Sequence, residues 1–511
     1  MIISISLGLI ISGLLLFAFK GFDIPEIPLY LLSGALMSSA VSFGQANGYL
    51  SHSYIETGIV KELALLGLGI LVFYTTSNIE LDKRLKTSVD GFKSSLWLTA
   101  TITGLVTGIS LMIGFSRFES VLFGFASSVG STMLDFGIVR EKARSNHIYG
   151  RLTENRNFFT DILLVTGFSA LITVYSSLRT VSGIMIVFTL ITATLVSRKY
   201  FGSLMMKITD GVEEVLLLSG IMIFVSLSYT TEFFGLTALP GIFAAGLLLV
   251  DTELGYKIRE RLSGIKDFFT ALSFFSIGYL FSLPSGNYLI ASIILIITAL
   301  VLRPASQLLY SILQGYDLRT GFMTSLQTAH VSEITLLAAL ISAPLIGFSA
   351  FNTIVLAFAV SVVIAEITED NEQYLFERLF SEYELNSEKS ELPRDLSNHV
   401  IIAGYDGKTQ GIEDELDEKV VISDYSLERI EEAEERGNYH LLADLESQKT
   451  WDVLKADEAK MIVSAIDDQK VRENIKEFES PRKILASEDS KQVKDRLRVM
   501  LSDSMKNKEN K

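Results

Sequence analysis

Between residues 1 and 366 the sequence returns, after each short polar interval, to an apolar stretch near the length that crosses a bilayer. That repetition constrains the fold more than any other feature. About 20 apolar residues span the ~30 Å hydrocarbon layer as a helix, and a helix closes its own backbone hydrogen bonds where no water can. Hydropathy predicts about thirteen spans, near 2–19, 27–44, 62–79, 94–114, 118–139, 157–177, 180–197, 212–231, 236–250, 268–283, 287–314, 321–344 and 348–366. Lys83, Arg84, Lys86 and Lys93 follow the third span, and Arg140, Lys142, Arg144, Arg151 and Arg156 the fifth. Arg198, Lys199 and Lys207 follow the seventh, and Lys257, Arg259, Arg261 and Lys266 the ninth. The opposite intervals hold only Lys61, Arg117 and Arg179. Basic loops stay inside, so an odd number of spans puts the N-terminus outside the cell membrane and the C-terminal segment in the cytoplasm. The first segment lacks a basic leader and a small-residue cleavage site, which reads as a retained helix rather than a signal peptide.

Residues 369–511 hold 36 Asp and Glu against 22 Lys and Arg, a balance of −14 out of the chain's −15. The acidity therefore belongs to the tail and keeps it soluble; no basic face for nucleic acid is evident. With no cysteine, disulfides, thiolate metal sites and a cysteine nucleophile are excluded.

Polar residues interrupt the fifth, sixth, eleventh and twelfth spans. GFASSVGSTMLDFGIV carries Ser131, Thr132 and Asp135, and NFFTDILLV carries Thr160 and Asp161. An acid in the middle of a span costs roughly 2.5–3.5 kcal/mol on insertion scales and is usually kept for function. Small and hydroxyl residues nearby let a helix unwind and offer carbonyls to an ion. Asp161 is the first candidate ion ligand; its alternative is a structural pair with a base such as Arg303. Asp135 lies near the cytosolic end of its span, where a helix-end role competes with ion binding, and Ser131 and Thr132 could equally be packing residues. SLQTAHVSEITLLAAL places Gln327, His330 and Glu333 inside the twelfth span. Glu333 reads as a structural or gating partner before a ligand, and His330 as a packed polar residue before a pH sensor. Arg303, followed by Pro304 within the membrane, needs a carboxylate or carbonyl partner. The polar breaks in spans 5 and 12 point to two inverted repeats, spans 1–6 and 8–13, around span 7. A buried carboxylate can hold a proton or a cation, not both, and competition for it with alternating exposure yields exchange.

Residues 367–397 read as an acidic, helix-compatible linker. From residue 398 to 511, HVIIAGY, KVVISDY, HLLADL, AKMIVSA and RKILAS alternate with the charged stretches IEDEL, LERIEEAEERG, TWDVLKA and DQKVRENIKEF. That is a βαβ repeat and predicts a doubly wound parallel sheet. Asp424 ends the second strand 20 residues after Gly404, where a ribose-binding acid belongs. Gly404, Gly407 and Gly411 form a stretched glycine loop, which can cradle a phosphate or serve simply as a strand–helix turn.

NIELDKRL, SSVGSTMLDFGIVRE, NFFTDILLV, LPGIFAAGLLLVDTEL, LSFFSIGYL and AHVSEITLLAAL resemble, in order and spacing, the motifs of the monovalent cation:proton antiporter-2 family of sodium/proton exchangers and potassium-efflux antiporters. The tail, with GYDGKTQG, DLES at 444–447 and SAIDDQKV, is similar to a regulator-of-potassium-conductance (TrkA-N) domain. The resemblance implies a polytopic α-helical membrane protein with broken crossing helices, spans 4–6 and 11–13 moving as a core, and a Rossmann-like α/β tail. It implies exchange of K⁺ or Na⁺ for H⁺ by a homodimer in the bilayer. Asp161 falls on the family's ion- and proton-binding aspartate, Thr160 on its partner position, Ser131 and Thr132 on the unwound helix, and Glu333 and Arg303 on charged core positions. A single acid implies electroneutral exchange, one cation per proton. In the tail, Gly404, Gly407, Gly411, Asp424 and Asp444 fall on nucleotide-binding positions, so NAD(H), AMP or another adenine nucleotide would be a regulatory ligand; transport needs no cofactor. The alternatives are a nucleotide-gated K⁺ channel, for which a TVGYG-like filter is missing, and an NAD-dependent membrane enzyme, for which no catalytic groups flank the loop.

Overall fold

The computed structural model describes residues 2–19, 25–47, 57–79, 88–130, 148–175, 180–209, 213–314, 316 and 318–380. Beyond these it describes residues 390–392, 396–406, 409–413, 416, 418–425, 427–443, 445–446, 448–464, 466, 468–478 and 482–485. The chain forms two compact units. The first comprises Met1–Asp135, Glu154–Ser306 and Ser325–Asn371, the second Phe136–Thr153, Gln307–Thr324 and Glu372–Lys511.

Every apolar segment contains helix: α1 (Ile2–Phe19), α2 (Glu26–Ala46), α3 (Thr57–Ser77), α4 (Ser88–Ile113), α5 (Arg117–Ser128), α6 (Ile148–Tyr175), α7 (Thr180–Thr209), α8 (Glu213–Phe233), α9 (Ala238–Leu249), α10 (Glu253–Leu280), α11 (Asn287–Ile297), α12 (Arg303–Leu313), α13 (Leu318–Leu326), α14 (Glu333–Ile346) and α15 (Phe348–Asp370). Among the described residues, eight helices are long and apolar enough to cross a membrane, or nine with α9 and α10 taken as one span bent by 115°. Large apolar side chains such as Phe17 and Met112 remain exposed, as a lipid-facing surface requires.

Among the described residues, the fifth and twelfth apolar segments leave the helix part-way, and both departures have local causes. Helix α5 starts on a capping box, Ser116 accepting from Glu119 N while Ser116 N donates to the Glu119 carboxylate. It ends at Ser128, where Val129 turns to extended backbone. The twelfth segment is interrupted between Leu326 and Glu333, and Ser332 restarts it by accepting from Ile334 N at 3.1 Å. Between α11 and α12 the helix widens to a π-turn over Thr298–Leu302. Pro304 follows at once; its ring would clash with the carbonyl four residues back, and the wider turn relieves that clash.

Several basic residues expected in loops are helical. Arg156 lies on α6, Arg198, Lys199 and Lys207 on α7, and Lys257, Arg259, Arg261 and Lys266 on α10. The helices run on past their apolar cores because partners satisfy the charges: Arg198 binds Asp251 at 2.9 Å and Arg259 donates to Ser77 O. A close helix contact pairs Gly34 of α2 with Gly278 of α10. A Cβ on either would lie 2.0 Å from a backbone oxygen of the other helix, so any side chain forces the helices apart.

In the second unit six strands form one sheet: β1 (Ser390–Glu391), β2 (Val400–Ala403), β3 (Val420–Asp424), β4 (Tyr439–Leu442), β5 (Met461–Ser464) and β6 (Arg482–Leu485), in the order β1-β4-β3-β2-β5-β6. β2 to β6 are parallel, with Val400 beside Val420 and Met461, while β1 is antiparallel to β4. The five parallel strands and their order are those of a doubly wound fold. Helices α17 (Leu427–Glu435), α18 (Gln448–Val453) and α19 (Gln469–Glu477) match three of the charged stretches; α16 (Glu372–Leu379) precedes β1. Two expectations change. β1 falls inside the stretch read as linker, and IEDEL shows no α-helix among its described residues, where Glu413 makes only a single 3₁₀ turn position. One face of the sheet buries Val400, Ile402, Tyr405, Val420 and Ile422 with Tyr316, from the turn between α12 and α13. The other buries Trp451, whose indole donates to Leu445 O at 2.8 Å.

Candidate functional site

Asp161 sits mid-way along α6 and is 2% exposed. On its N-terminal side α6 also buries the polar Thr153, Asn155, Arg156, Asn157 and Thr160, while Phe158, Leu164 and Val165 pack apolar around it. Residues four apart share a helix face, so Asn157 lies on the face of Asp161. Arg156 donates from Nη2 to Asn157 Oδ1 at 3.0 Å, and Thr160 donates its hydroxyl to Arg156 O at 2.7 Å. The helix thus supplies a buried carboxylate, an amide and a hydroxyl within two turns. Asn157 was legible as the residue four before Asp161, and Arg156 was misplaced in a loop.

Helix α6 packs on broken helix α5, since a Cβ on Gly167 would lie 2.4 Å from the Phe125 ring. Ser131, Thr132 and Asp135 lie outside the described residues.

Arg303 is wholly buried, and its partners in view are carbonyls. Nη1 donates to Ser127 O at 3.2 Å and Val129 O at 2.9 Å, and Nη2 donates to His330 O at 2.9 Å. One guanidinium therefore ties the end of α5 to the break before α14. Helix C-termini carry about −0.5 charge and expose unbonded carbonyls, so a planar cation with five donors suits the place better than an ammonium. Gly130 leaves the room: a Cβ there would lie 2.7 Å from Nη2.

Glu333, 1% exposed, is the first residue of α14, where a negative charge faces the positive helix end. Val331 N donates to Ser361 Oγ at 3.1 Å, satisfying the broken backbone from α15. Gln327 Nε2 and Thr335 Oγ1 flank the break, buried and with no hydrogen-bond partner among the described residues. Thr335 had no sequence signal beyond its closeness to Glu333.

In the tail, Gly404 and Gly411 adopt φ of 88° and 77°, a region that suits glycine. Gly407 and Asp444 lie outside the described residues. Asp424 is fully buried at the end of β3 and accepts from Tyr405 N at 2.5 Å and from Arg429 Nη1 at 3.2 Å. The loop is closed by its own side chains, Thr409 donating to Gly404 O at 2.7 Å and the Tyr405 hydroxyl donating to Glu413. Burial, then the Glu413 carboxylate, pushes the Tyr405 phenol well above its usual range. Arg436 Nη1 reaches the same carboxylate at 3.3 Å. Asp424 stands at the strand end where a ribose-binding acid was expected, with its buried carboxylate engaged by Tyr405 N and Arg429. The buried Glu413 carboxylate stands in the loop, where it opposes the charge of a diphosphate.

A family model for the transmembrane sodium/hydrogen exchanger matches residues 5–369, and one for the TrkA-N domain matches residues 400–498. The chain is similar to the putative cation/proton antiporter YbaL of Escherichia coli, 23% identical over 89% of this chain and 86% of the relative. It is similar to K(+) efflux antiporter 6 of Arabidopsis thaliana, 24% identical over 60% of this chain and 52% of the relative. The probable Na(+)/H(+) antiporter GerT of Bacillus cereus is 23% identical over 58% of this chain and 82% of its own. Among solved structures, the sodium proton antiporter MjNhaP1 of Methanocaldococcus jannaschii superposes with a TM-score of 0.56 at 16% identity, over 74% of this chain and 98% of that one. That likeness is one of fold. With broken helices on either side of a buried arginine and both family models matched, the chain belongs to the sodium/hydrogen exchangers, in the monovalent cation:proton antiporter-2 branch that carries a TrkA-N domain.

Proposed function

We propose that this protein is a secondary antiporter that exchanges K⁺ or Na⁺ for H⁺ by alternating access. The observation that carries the reading is Asp161, an acid only 2% exposed on a helix packed against one that breaks. Asp161 lies six residues before Gly167, about 9 Å along α6, and the end of α5 lies three residues beyond Phe125. If α5 and α6 run antiparallel, as neighbouring spans do, both displacements point the same way and bring the carboxylate level with the break. The carbonyls at the end of α5 not engaged by Arg303 and the carboxylate then converge on one volume, joined by the Thr160 oxygen and the Asn157 amide. Ser131 and Thr132, which follow α5 in the sequence, complete the ligand set, and Asp135 competes as a second acid. Glu333 and Arg303 offset the helix ends.

Carrying a charged carboxylate through the apolar interior costs several kcal/mol, and at about 4 kcal/mol movement of the deprotonated, ion-free site is suppressed roughly a thousandfold. The site then moves only when it carries a proton or a cation, which is the coupling an exchanger needs. A single acid makes the exchange electroneutral. The protein works as a homodimer, N-terminus outside and tail in the cytoplasm of the cell membrane. The TrkA-N match supports regulation by an adenine nucleotide, and the loop favours one phosphate over two, hence AMP over NAD(H).

The test uses proteoliposomes with an imposed ΔpH. Addition of K⁺ or Na⁺ should collapse ΔpH whether or not the voltage is clamped, and Asp161→Asn should abolish the response. Cation flux that survives in Asp161→Asn without proton movement would replace this reading with a channel.

A further inference from the structure

The bend between α9 and α10 borders, with α7, an open cavity of about 430 Å³ that the exchange mechanism does not use. Lys199, Ser203, Met206 and Lys207 of α7 line one side, and Asp251 and Glu253 the other. Positions 199, 203 and 206 recur at helical spacing and share a face. Gly202 lets α7 come close to the bend, since a Cβ there would lie 3.0 Å from Thr252 Cβ. Asp251 turns the chain with φ of 52°, and its carboxylate receives Arg198 at 2.9 Å. Glu253 pairs with Lys257 at 3.3 Å. Both acids of the cavity thus have cations of their own, while Lys199 and Lys207 add positive charge.

The neighbouring face of α7, about 100° around the helix, is apolar and open. Val196, Tyr200, Leu204 and Ile208 are 81%, 76%, 39% and 64% exposed, at spacings of four. Tyr256, in the first turn of α10, is exposed as well. Exposed tyrosines beside lysines at the end of a span mark the headgroup level of a bilayer.

We propose that the cavity is a headgroup site for an anionic phospholipid. The phosphate sits between the Lys199 and Lys207 ammonium groups, and the acyl chains run from Val196 into the span over Phe188 and Ile184, exposed on the same face. A free anion would satisfy the lysines but has no use for the stripe, so the lipid is the occupant that accounts for both. Because the site lies on the bend that joins α9 to α10, its lipid would hold that elbow in one geometry.

The test is native mass spectrometry of the full-length protein in detergent, titrated with phosphatidylglycerol or phosphatidylcholine. The protein should retain phosphatidylglycerol preferentially. Each lysine near a charged surface contributes about a fivefold factor, so Lys199→Gln with Lys207→Gln should weaken retention roughly 25-fold. Ser203→Phe, which fills the cavity and leaves the charges alone, should weaken it as well. Melting temperatures in phosphatidylcholine equal to the parent's would show that both variants are folded; if the lysine variant fails this, Ser203→Phe decides alone. Equal retention of the two lipids, or phosphatidylglycerol retention indifferent to a folded variant, would overturn the proposal. So would displacement of the bound lipid by millimolar inorganic phosphate, which would assign the cavity to a free anion.

Discussion

Replacing Gly130 by alanine puts a methyl group 2.7 Å from Arg303 Nη2, a distance no Cβ tolerates. The guanidinium has to withdraw by more than half an ångström, and Nη2 already stands at 2.9 Å from His330 O. His330 O stands 3.9 Å from that same methyl, so the shift runs across the bond and tilts it rather than stretching it. Losing a hydrogen bond to a charged group outright costs about 1.5–3 kcal/mol, and a bond tilted but kept holds the cost at or below the lower end of that range. For a unit of this size that is a fall in melting temperature of roughly 1–3 °C. The assay is thermal unfolding of purified Gly130→Ala, Arg303→Met and the double variant. If Gly130 matters only because it makes room for Arg303, alanine costs nothing once the guanidinium is gone. The coupling energy of the cycle then equals the cost of Gly130→Ala alone. Full additivity, with Gly130→Ala equally costly in the Arg303→Met background, would refute the steric argument and assign the cost to the backbone of the break.

Thr160→Val keeps the side-chain volume but removes the oxygen next to Asp161 and its bond to Arg156 O. Half-saturation by the transported cation should rise several-fold with proton exchange retained, and an unchanged cation dependence would remove Thr160 from the ligand set. In the tail, burial, the largest influence, lowers the His399 pKa below its usual 6.5, although its ring nitrogen at 2.8 Å from Leu454 O pulls the other way. The neutral ring's stability is complete above the unfolded value of about 6.5 and is lost as pH falls towards the depressed folded value. Trp451, buried in the same unit, reports this by fluorescence: the unit should unfold at lower denaturant below pH 6.5 than at pH 8, and His399→Gln should flatten the difference.

The repeated apolar helices were legible because span length and hydropathy are set by the bilayer, independent of neighbours. Asp161, Arg303 and the two breaks were legible because a charge or a run of small hydroxyl residues inside such a segment has few reasons to be there. What could not be read was where each helix stops. Arg156 and Arg198 read as loop markers, yet a basic residue can stay helical when a partner far along the chain, Asp251 for Arg198, compensates it. The carbonyls that hold Arg303 come from positions 174 and 176 residues away, and no local pattern announces them. In the tail, IEDEL has the composition of a helix, but Tyr405 and Arg436 draw its Glu413 into the fold. β1 is only two residues long and is specified by its partner β4.

Tyr316 is 8% exposed in the cluster formed by Val400, Ile402, Tyr405 and Ile422, although 80 or more residues separate it from them in the chain. The sheet is therefore not a self-contained cassette. A fragment beginning at Glu372 would carry all six strands and still lack one wall of their core, a vacancy of aromatic size that costs on the order of 3–5 kcal/mol. Whole domains hold only about 5–15 kcal/mol in reserve. Any recombination that moved this tail to another transporter would have to bring a tyrosine with it in the turn between two helices, which ties the inheritance of the regulator to that of the carrier.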